Sequence, residues 1–476
     1  MSDYLGRRYS ITVGCLIFSV GVIIQMACEY SWRQIAIGRL VTGVAIGQLS
    51  AAVPVYQSET VPRQVRGALV GTYQLFVTLG ILLSYVTCYG THKYGDNGMK
   101  GDANPVNTGA LYPTAQWRVP IGLGFAWALI LGVGILFCPE SPRWLARNNS
   151  SDDRILRSLS VVRGVEDQHP AVAAEFYDIK QELEEERALP PKGWLDCLRP
   201  EEKTLYRTVL GMALQTGQQL TGANYFFYFG VTIFQPVGIS DPYIIQIILG
   251  GVNTGCTFWG LWALDRLGRR ICLMFGALWM FIWLIVFATV GTASSTNGED
   301  IPRWAGTVMV VSTCLFIFAF AGTWGPGVWS AIAEFVNPAT RTKQYALATM
   351  SNWIWNFNLA FFTSPITSSI HFRYGYVFAA CCLANFLIVY FFLYETANLS
   401  LEAANLMYNE KGVYAWNSRK WAPPGFVSRT QAQEEHVRDA ENMVNAVHVA
   451  DEEAGKKQAH STMHQSEGVQ LQNAEL

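Results

Sequence analysis

Charge is what this chain has least of. Only 15% of its 476 residues are Asp, Glu, Lys or Arg, against about a quarter in soluble domains. The shortage is uneven. The stretch from Pro139 to Arg207 is rich in Arg, Glu and Asp, and no long apolar run occurs from Glu395 to Leu476. The remainder is nearly free of charge in long blocks, so the average conceals a membrane body and two solvated pieces. A net charge of −2 gives no basic surface for nucleic acid, which is excluded as a partner. The 10 cysteines are scattered, mostly in apolar stretches, without a C-x-x-C spacing; neither a disulfide framework nor a zinc site is supported. They read as small buried apolar side chains. The seven His lie in loops and the tail and form no H-E-x-x-H, so no metal is expected. The opening Met-Ser-Asp-Tyr-Leu-Gly-Arg-Arg lacks the apolar region and cleavage site of a signal peptide.

What is present is apolar length. A membrane-spanning helix needs about 20 mostly apolar residues. Ten runs qualify: Ser10–Met26, Gln34–Val55, Ala68–Tyr89, Val119–Phe137, Leu205–Phe234, Tyr243–Leu264, Ile271–Thr292, Gly306–Phe335, Tyr345–Ile370 and Gly375–Leu393. One soluble domain could not hide ten such runs from water. The second and eighth are interrupted by Gly and Pro, which leaves their ends open. Basic residues concentrate in one set of short loops: Arg7 and Arg8; Arg63 and Arg66; Arg266, Arg269 and Arg270; Arg341 and Lys343. The excess of Lys and Arg marks the cytoplasmic side, where residues 139–204 and the tail 395–476 also fall.

The chain repeats itself. Asp3-x-x-Gly6-Arg7-Arg8 recurs as Asp265-x-x-Gly268-Arg269-Arg270. Glu59, with Arg66 seven residues on and Pro62 between, recurs as Glu334, Arg341 and Pro338. Pro139-Glu140-Ser141 is echoed by Tyr394-Glu395-Thr396. Three marks in one order, all at cytoplasmic helix ends, give two parallel halves, the pattern of major facilitator transporters, whose substrate site lies between the halves. The expected division is 1–138 as a first half of four helices, 139–204 as a cytoplasmic helical linker, 205–394 as a second half of six helices, and 395–476 as a largely disordered tail. Two helices precede the D-x-x-G-R-R mark in the second half and none in the first, so symmetry predicts two more before Met1. A truncated start is one cause, and a natural ten-helix protein is the alternative. The repeated Glu and Arg can also work as a gate, pairing across the halves when the inner side is closed. Exposed ion pairs contribute only about 0–1 kcal/mol each, which suits contacts that are made and broken. The plainer reading is that they only set topology.

Polar residues inside spans are costly and mark function by default. Here they are all amides: Gln74, Gln218, Gln219, Asn224, Asn253, Asn352 and Asn356, with no Asp, Glu or Lys in mid-span. An amide donates and accepts at once, which suits an uncharged, many-hydroxylled ligand rather than a phosphate, carboxylate or metal. A single amide reads better as interhelical glue, worth about 0.6 kcal/mol on average. The cluster Gln218-Gln-Leu-Thr-Gly-Ala-Asn224 is different, because its Gly lets the helix bend and transporters place sites at broken helices. Trp329, after Gly325-Pro326-Gly327, and Trp353, beside Asn352, are the aromatics singled out to pack on a sugar ring.

Together Asp265-Arg-Leu-Gly-Arg-Arg270, Pro139-Glu-Ser-Pro-Arg-Trp-Leu145, Gln218-Gln-Leu-Thr-Gly-Ala-Asn224, Val53-Pro-Val-Tyr-Gln-Ser-Glu59 and Arg66-Gly-Ala68 resemble the signatures of the sugar porter family, up to about Met407. Arg419-Lys-Trp-Ala-Pro-Pro-Gly425 resembles the start of the tail in fungal monosaccharide permeases. The resemblance implies an all-α major facilitator fold in the plasma membrane, no enzymatic activity, no cofactor, and alternating-access transport of a hexose, glucose first. The rival is a sugar receptor signalling through the tail; a third reading is a nonfunctional truncation product. By resemblance, Gln74, Gln218, Gln219, Asn224, Asn253, Trp329, Asn352 and Trp353 contact sugar. Glu59, Arg66, Glu140, Arg143, Asp265, Arg269, Arg270, Glu334, Arg341 and Glu395 form the cytoplasmic charge network. In proton-coupled members Arg39 would face a carboxylate on the first helix, a helix this chain does not show, so protons stay an open partner beside the sugar and the bilayer. The usual Pro-Glu-Thr after the last helix is Tyr394-Glu395-Thr396 here, with little consequence expected.

Overall fold

The computed structural model describes residues 2–28, 31–61, 66–95, 115–166, 193–234, 242–294, 301–337, 340–397 and 401–426, together with 169, 172–173, 175–177, 179–180, 183–184, 399, 429 and 431. Among them there is helix and no strand. The first half contributes α1 (Arg7–Met26), α2 (Trp32–Thr60), α3 (Arg66–Gly95) and α4 (Ala115–Phe137). After α5 (Pro142–Arg147) and α6 (Asp152–Arg163), the second half runs through α7 (Thr204–Leu220), α8 (Ala223–Phe234), α9 (Pro242–Leu267), α10 (Arg269–Ser294), α11 (Arg303–Ala319), α12 (Gly325–Phe335), α13 (Arg341–Ile370) and α14 (Tyr374–Phe392). A short α15 (Leu401–Asn409) follows.

Among the described residues, eight stretches are long and apolar enough to cross a membrane. One of them, Lys343–Phe392, holds both α13 and α14, joined by a 3-10 turn at His371–Arg373. The run Leu205–Phe234, read as one helix, is two: Gly222 takes φ +90° between α7 and α8, a conformation a β-carbon disfavours. The run Gly306–Phe335 is also divided. Its break is not at Gly325-Pro326-Gly327 but just before, in a π-helical turn at Phe320–Trp324. Pro326 instead sits in the first turn of α12, where its missing N–H costs nothing. By contrast Pro54 lies inside an unbroken α2. Helix α3 also runs past Tyr89, which places His92 in its last turn rather than in a loop. There its ring stacks on Tyr243 of α9 at 4.5 Å.

The repeated D-x-x-G-R-R has a shared backbone. Gly6 and Gly268 both adopt left-handed φ, +91° and +94°, immediately before α1 and α10. Side chains pack in two ways. Inside, Phe226, Phe287, Phe316, Trp324 and Phe378 are buried in the core of the second half. Outside, large apolar residues such as Leu16, Val20, Phe76, Ile130, Phe258 and Phe275 are exposed. Wide apolar exposure of this kind is uncommon on soluble monomers and matches a hydrocarbon surrounding.

Met1–Cys138 and Lys192–Trp421 form one compact unit, and Pro139–Pro191 groups with Ala422–Leu476 in a second. The solvated tail therefore starts later than residue 395. Met407, Tyr408, Ala415 and Ser418 are all buried, and Tyr394, which replaces the expected Pro, stacks on Tyr408 at 4.4 Å. The apolar spacing of Ala403, Ala404, Met407 and Tyr408 is a short helical stripe. The disorder expected of residues beyond 431 concerns positions outside the described residues. In the second unit, the Ser141 side chain caps α5 by accepting from Trp144 N. Ala146, Ile155, Leu159, Val172, Phe176 and Ile179 make a small core, bordered by an ion pair from Arg163 to Glu175.

Candidate functional site

The break between α7 and α8 sets the site. The last four carbonyls of a helix have no partner within it; in α7 these belong to Gly217, Gln218, Gln219 and Leu220. Thr221 Oγ1 donates to Gln218 O at 2.7 Å, and Gly222 N donates to Gln219 O at 3.3 Å. Asn385 Nδ2, on α14, donates to Gly217 O at 2.9 Å. With three of these four carbonyls bonded in this way, α7 can stop here and present side chains instead of continuing.

Those side chains are amides, and they bond to one another. Gln219 Nε2 donates to Asn352 Oδ1 at 2.9 Å. Asn352 Nδ2 donates to Gln215 Oε1 at 2.6 Å and to Gln218 Oε1 at 2.9 Å. Asn224 Nδ2 donates to Gln219 Oε1 at 2.5 Å. Asn356, one turn beyond Asn352, donates to the same oxygen at 3.4 Å and to Tyr228 OH at 3.2 Å. Gln218 Nε2 then reaches the second break, donating to Trp324 O at 2.8 Å and Gly325 O at 3.0 Å. One uncharged network therefore joins α7, α8, α13 and the π turn. A hydrogen-bonded network of this kind is stiff when complete and costly when a member is lost.

The first half also reaches the breaks. A β-carbon built on Gly325 would stand 3.5 Å from Gln74 Nε2 of α3. Tyr85 OH, also on α3, donates to Phe227 O of α8 at 2.9 Å.

Not every sugar candidate joins the cluster. Asn253, on α9, is buried, and its Oδ1 has no hydrogen-bond partner among the described residues. Trp329 packs against Tyr345, ring centroids 6.1 Å apart. Trp353 is 40% exposed; one helical position past Asn352, its side chain points about 100° away from the amide face. Two network members fell outside the candidate set read from the sequence, Gln215, which accepts from Asn352, and Tyr228, which bonds Asn356, as did a neighbour of the network, Asn385, which bonds Gly217 O. Gln215 and Asn385 carried the same signal as the others, an amide in an apolar run.

The repeated charges occupy equivalent places. Arg7 Nε and Nη2 grip Glu59 at 2.9 Å each, and Arg269 grips Glu334 at 3.0 and 2.9 Å. Each of these two pairs lies within one half, α1 to α2 and α10 to α12. The E-x6-R spacing puts Glu at a helix end where the first Arg of the neighbouring G-R-R is already in reach. The second Arg of each mark binds main chain at the end of the last helix of its half. Arg8 donates to Cys138 O at 3.4 Å, and Arg270 donates to Tyr390 O at 2.8 Å. The buried Glu395 carboxylate accepts from the backbone N–H of Arg269 at 3.1 Å and of Arg270 at 3.2 Å, an anion on the N-terminus of α10. Glu334 Oε2 accepts from Thr396 Oγ1 at 2.6 Å. Arg341 opens α13. In the second unit, Glu140 Oε1 accepts from Ser141 N at 2.9 Å, and Arg143 lies in α5. Arg39 is exposed on α2. The side chains of Arg66 and Asp265 lie outside the described residues.

Known proteins resemble this chain in sequence and in fold. The family described as Sugar (and other) transporter matches residues 1–408. Hexose transporter HXT13 of Saccharomyces cerevisiae is 40% identical over 427 residues, 89% of this chain and 72% of that protein. The low-affinity glucose transporter of Kluyveromyces lactis is 40% identical over 428 residues, with the same coverage. The high-affinity fructose transporter ght6 of Schizosaccharomyces pombe is 41% identical over 420 residues, 88% of this chain and 75% of that one. Among solved structures, the major facilitator proton:xylose symporter XylE bound to 6-bromo-6-deoxy-D-glucose superposes with a TM-score of 0.68 at 23% identity, covering 86% of this chain and 84% of that one. XylE from E. coli in an inward open conformation gives 0.65 at 22%, covering 85% and 84%. These structures fix the fold as that of the major facilitators. The matching profile and the identity to curated relatives place the chain, a multi-pass membrane transporter and not an enzyme, in the Sugar (and other) transporter family.

Proposed function

We propose that this chain carries a hexose, glucose first, across a membrane by alternating access, with the amide network as its sugar site. The observation that carries the reading is the uncharged cluster of Gln218, Gln219, Asn224 and Asn352 at two helix breaks. Its donors and acceptors can be exchanged for sugar hydroxyls at little net cost, since each hydrogen bond lost inside the protein is replaced by one to the ligand. Asn253 Oδ1, buried and without a protein partner among the described residues, adds an acceptor ready for a hydroxyl. Gln74 would meet the ligand from the first half, and Trp329 would supply an apolar face. The names of the relatives, hexose, glucose and fructose transporters, agree in substrate class.

In this reading the Arg7–Glu59 and Arg269–Glu334 pairs hold each half together on the cytoplasmic side while the halves rock. Arg341 and Glu395 belong to the same charged layer. The linker and tail are cytoplasmic, and the membrane is the plasma membrane. Uptake of labelled D-glucose by a hexose-transport-null yeast strain producing this chain is the test. Growth and saturable uptake are expected; absence of both, with the protein present at the surface, would overturn the reading. Arg39 carries the coupling question. A proton-coupled carrier loses accumulation when a protonophore is added, and uptake that ignores the protonophore removes Arg39 from any coupling role.

A further inference from the structure

Helix α14 supplies no residue to the sugar site as drawn from the sequence, yet it is the wall against which the broken helix rests. Three contacts converge within one stretch of it. Asn385, 4% exposed, donates from Nδ2 to Gly217 O at 2.9 Å. Cys382 Sγ lies 3.7 Å from Thr221 O. Phe378 covers Gly222, where an added β-carbon would stand 2.6 Å from the ring. Positions 378, 382 and 385 recur at helical spacing, so they form one face of α14. They meet the break at its start, middle and end.

The packing is closest at Asn385. A β-carbon on Gly217 would overlap its carboxamide, so that Gly leaves room for a polar side chain at bilayer depth. An amide there is expensive unless bonded, and its bond goes to one of the carbonyls that the end of α7 leaves free. Gly217 immediately precedes Gln218 and Gln219, the two amides that bond Asn352 and the π turn. A shift of Gly217 is carried directly into both.

We propose that Asn385 is a positioning residue for the sugar site: it fixes where α7 ends, and so sets the placement of Gln218 and Gln219, without touching the ligand. The proposal rests on the sugar-transport reading for its kinetic consequence but not for its structural one. The experiment therefore has two arms, both on the full chain. In the first, N385L, of similar size but without a donor, is compared with the unsubstituted protein for D-glucose uptake per molecule at the cell surface. The half-saturation concentration is expected to rise about fivefold or more, the consequence of stranding a buried carbonyl beside the site, with a smaller change in maximal rate. In the second arm, hydrogen exchange is read on the purified protein without sugar. The backbone amides of 221–225 are expected to exchange faster in N385L, while those of α10 and α11 do not change. A merely structural role would lower yield or exchange protection everywhere and leave half-saturation unmoved. If N385L is not produced, N385S, whose hydroxyl is too short to reach Gly217 O, is read in the same way. Unchanged half-saturation together with unchanged exchange at 221–225 overturns the proposal. Absence of uptake by the unsubstituted protein, with faster local exchange in N385L, overturns the transport reading and leaves the positioning role standing.

Discussion

Gly268 holds φ at +94° while the Glu395 carboxylate stands 2.6 Å from where a β-carbon would be. Two separate penalties therefore meet any substitution there, one conformational and one steric. G268A should destabilise the protein by about 1–3 kcal/mol, seen as a lower unfolding temperature in detergent, and G6A should share the conformational part. At the site, Asn352 joins three glutamines through both ends of its amide, whereas Asn224 makes one bond, to Gln219. N352A should raise the half-saturation concentration for glucose at least about tenfold, since several buried partners lose their bonds together. N224A should raise it by about threefold, the loss of one such bond. Equal effects in the uptake assay would mean that the number of bonds lost does not set the cost.

Helices of this protein are broken where the side chains are needed. The left-handed Gly222 and the π turn at Phe320–Trp324 each turn backbone carbonyls outward, and Gln218 bridges the second set. At the charged ends, the paired Arg and Glu join neighbouring helices of each half. Arg7 is 4% exposed at its side chain and Glu59 14%, so this pair is more than a surface contact. Removing one partner of a buried pair strands the other and costs about 3–5 kcal/mol, whereas replacing both by apolar residues is near neutral. R7M should therefore lower the unfolding temperature more than R7M/E59M does, and the same order should hold for R269M against R269M/E334M, with a smaller gap because Glu334 is more exposed. A double substitution worse than the single would show that the pair supplies net stability.

For the molecule as a whole, the two halves meet along α3 and α9. Gly250 of α9 packs on Tyr85 and Leu82 of α3, His92 stacks on Tyr243, and Tyr85 OH bonds the main chain of α8 at Phe227. That last bond ties the first half to the second beside the helix break, so a rocking of the halves would strain it. Y85F should alter the maximal uptake rate by about two- to tenfold, the range of one hydrogen bond, and leave half-saturation nearly unchanged. A change confined to half-saturation would place Tyr85 in the sugar site instead.

Much of this was legible in the sequence, for physical reasons. Spanning length, scarcity of charge and the positive loops follow from what lipid tolerates, and they depend on composition alone. The repeated D-x-x-G-R-R and Glu marks were readable because each half needs the same left-handed turn and the same Arg–Glu pair. The amides announced themselves because polar side chains in apolar runs are costly anywhere. Partners were not legible. Arg7 and Glu59 are 52 residues apart and Gln219 and Asn352 are 133 apart, and no local pattern says which helices lie side by side. Only the tertiary structure decided that the ion pairs join helices within a half. It alone moved the second break from Gly325 back to the π turn, and turned the region after Glu395 into a packed α15. It also set Asn385 against Gly217, because hydrogen bonds between helices depend on packing distance, which sequence order does not encode.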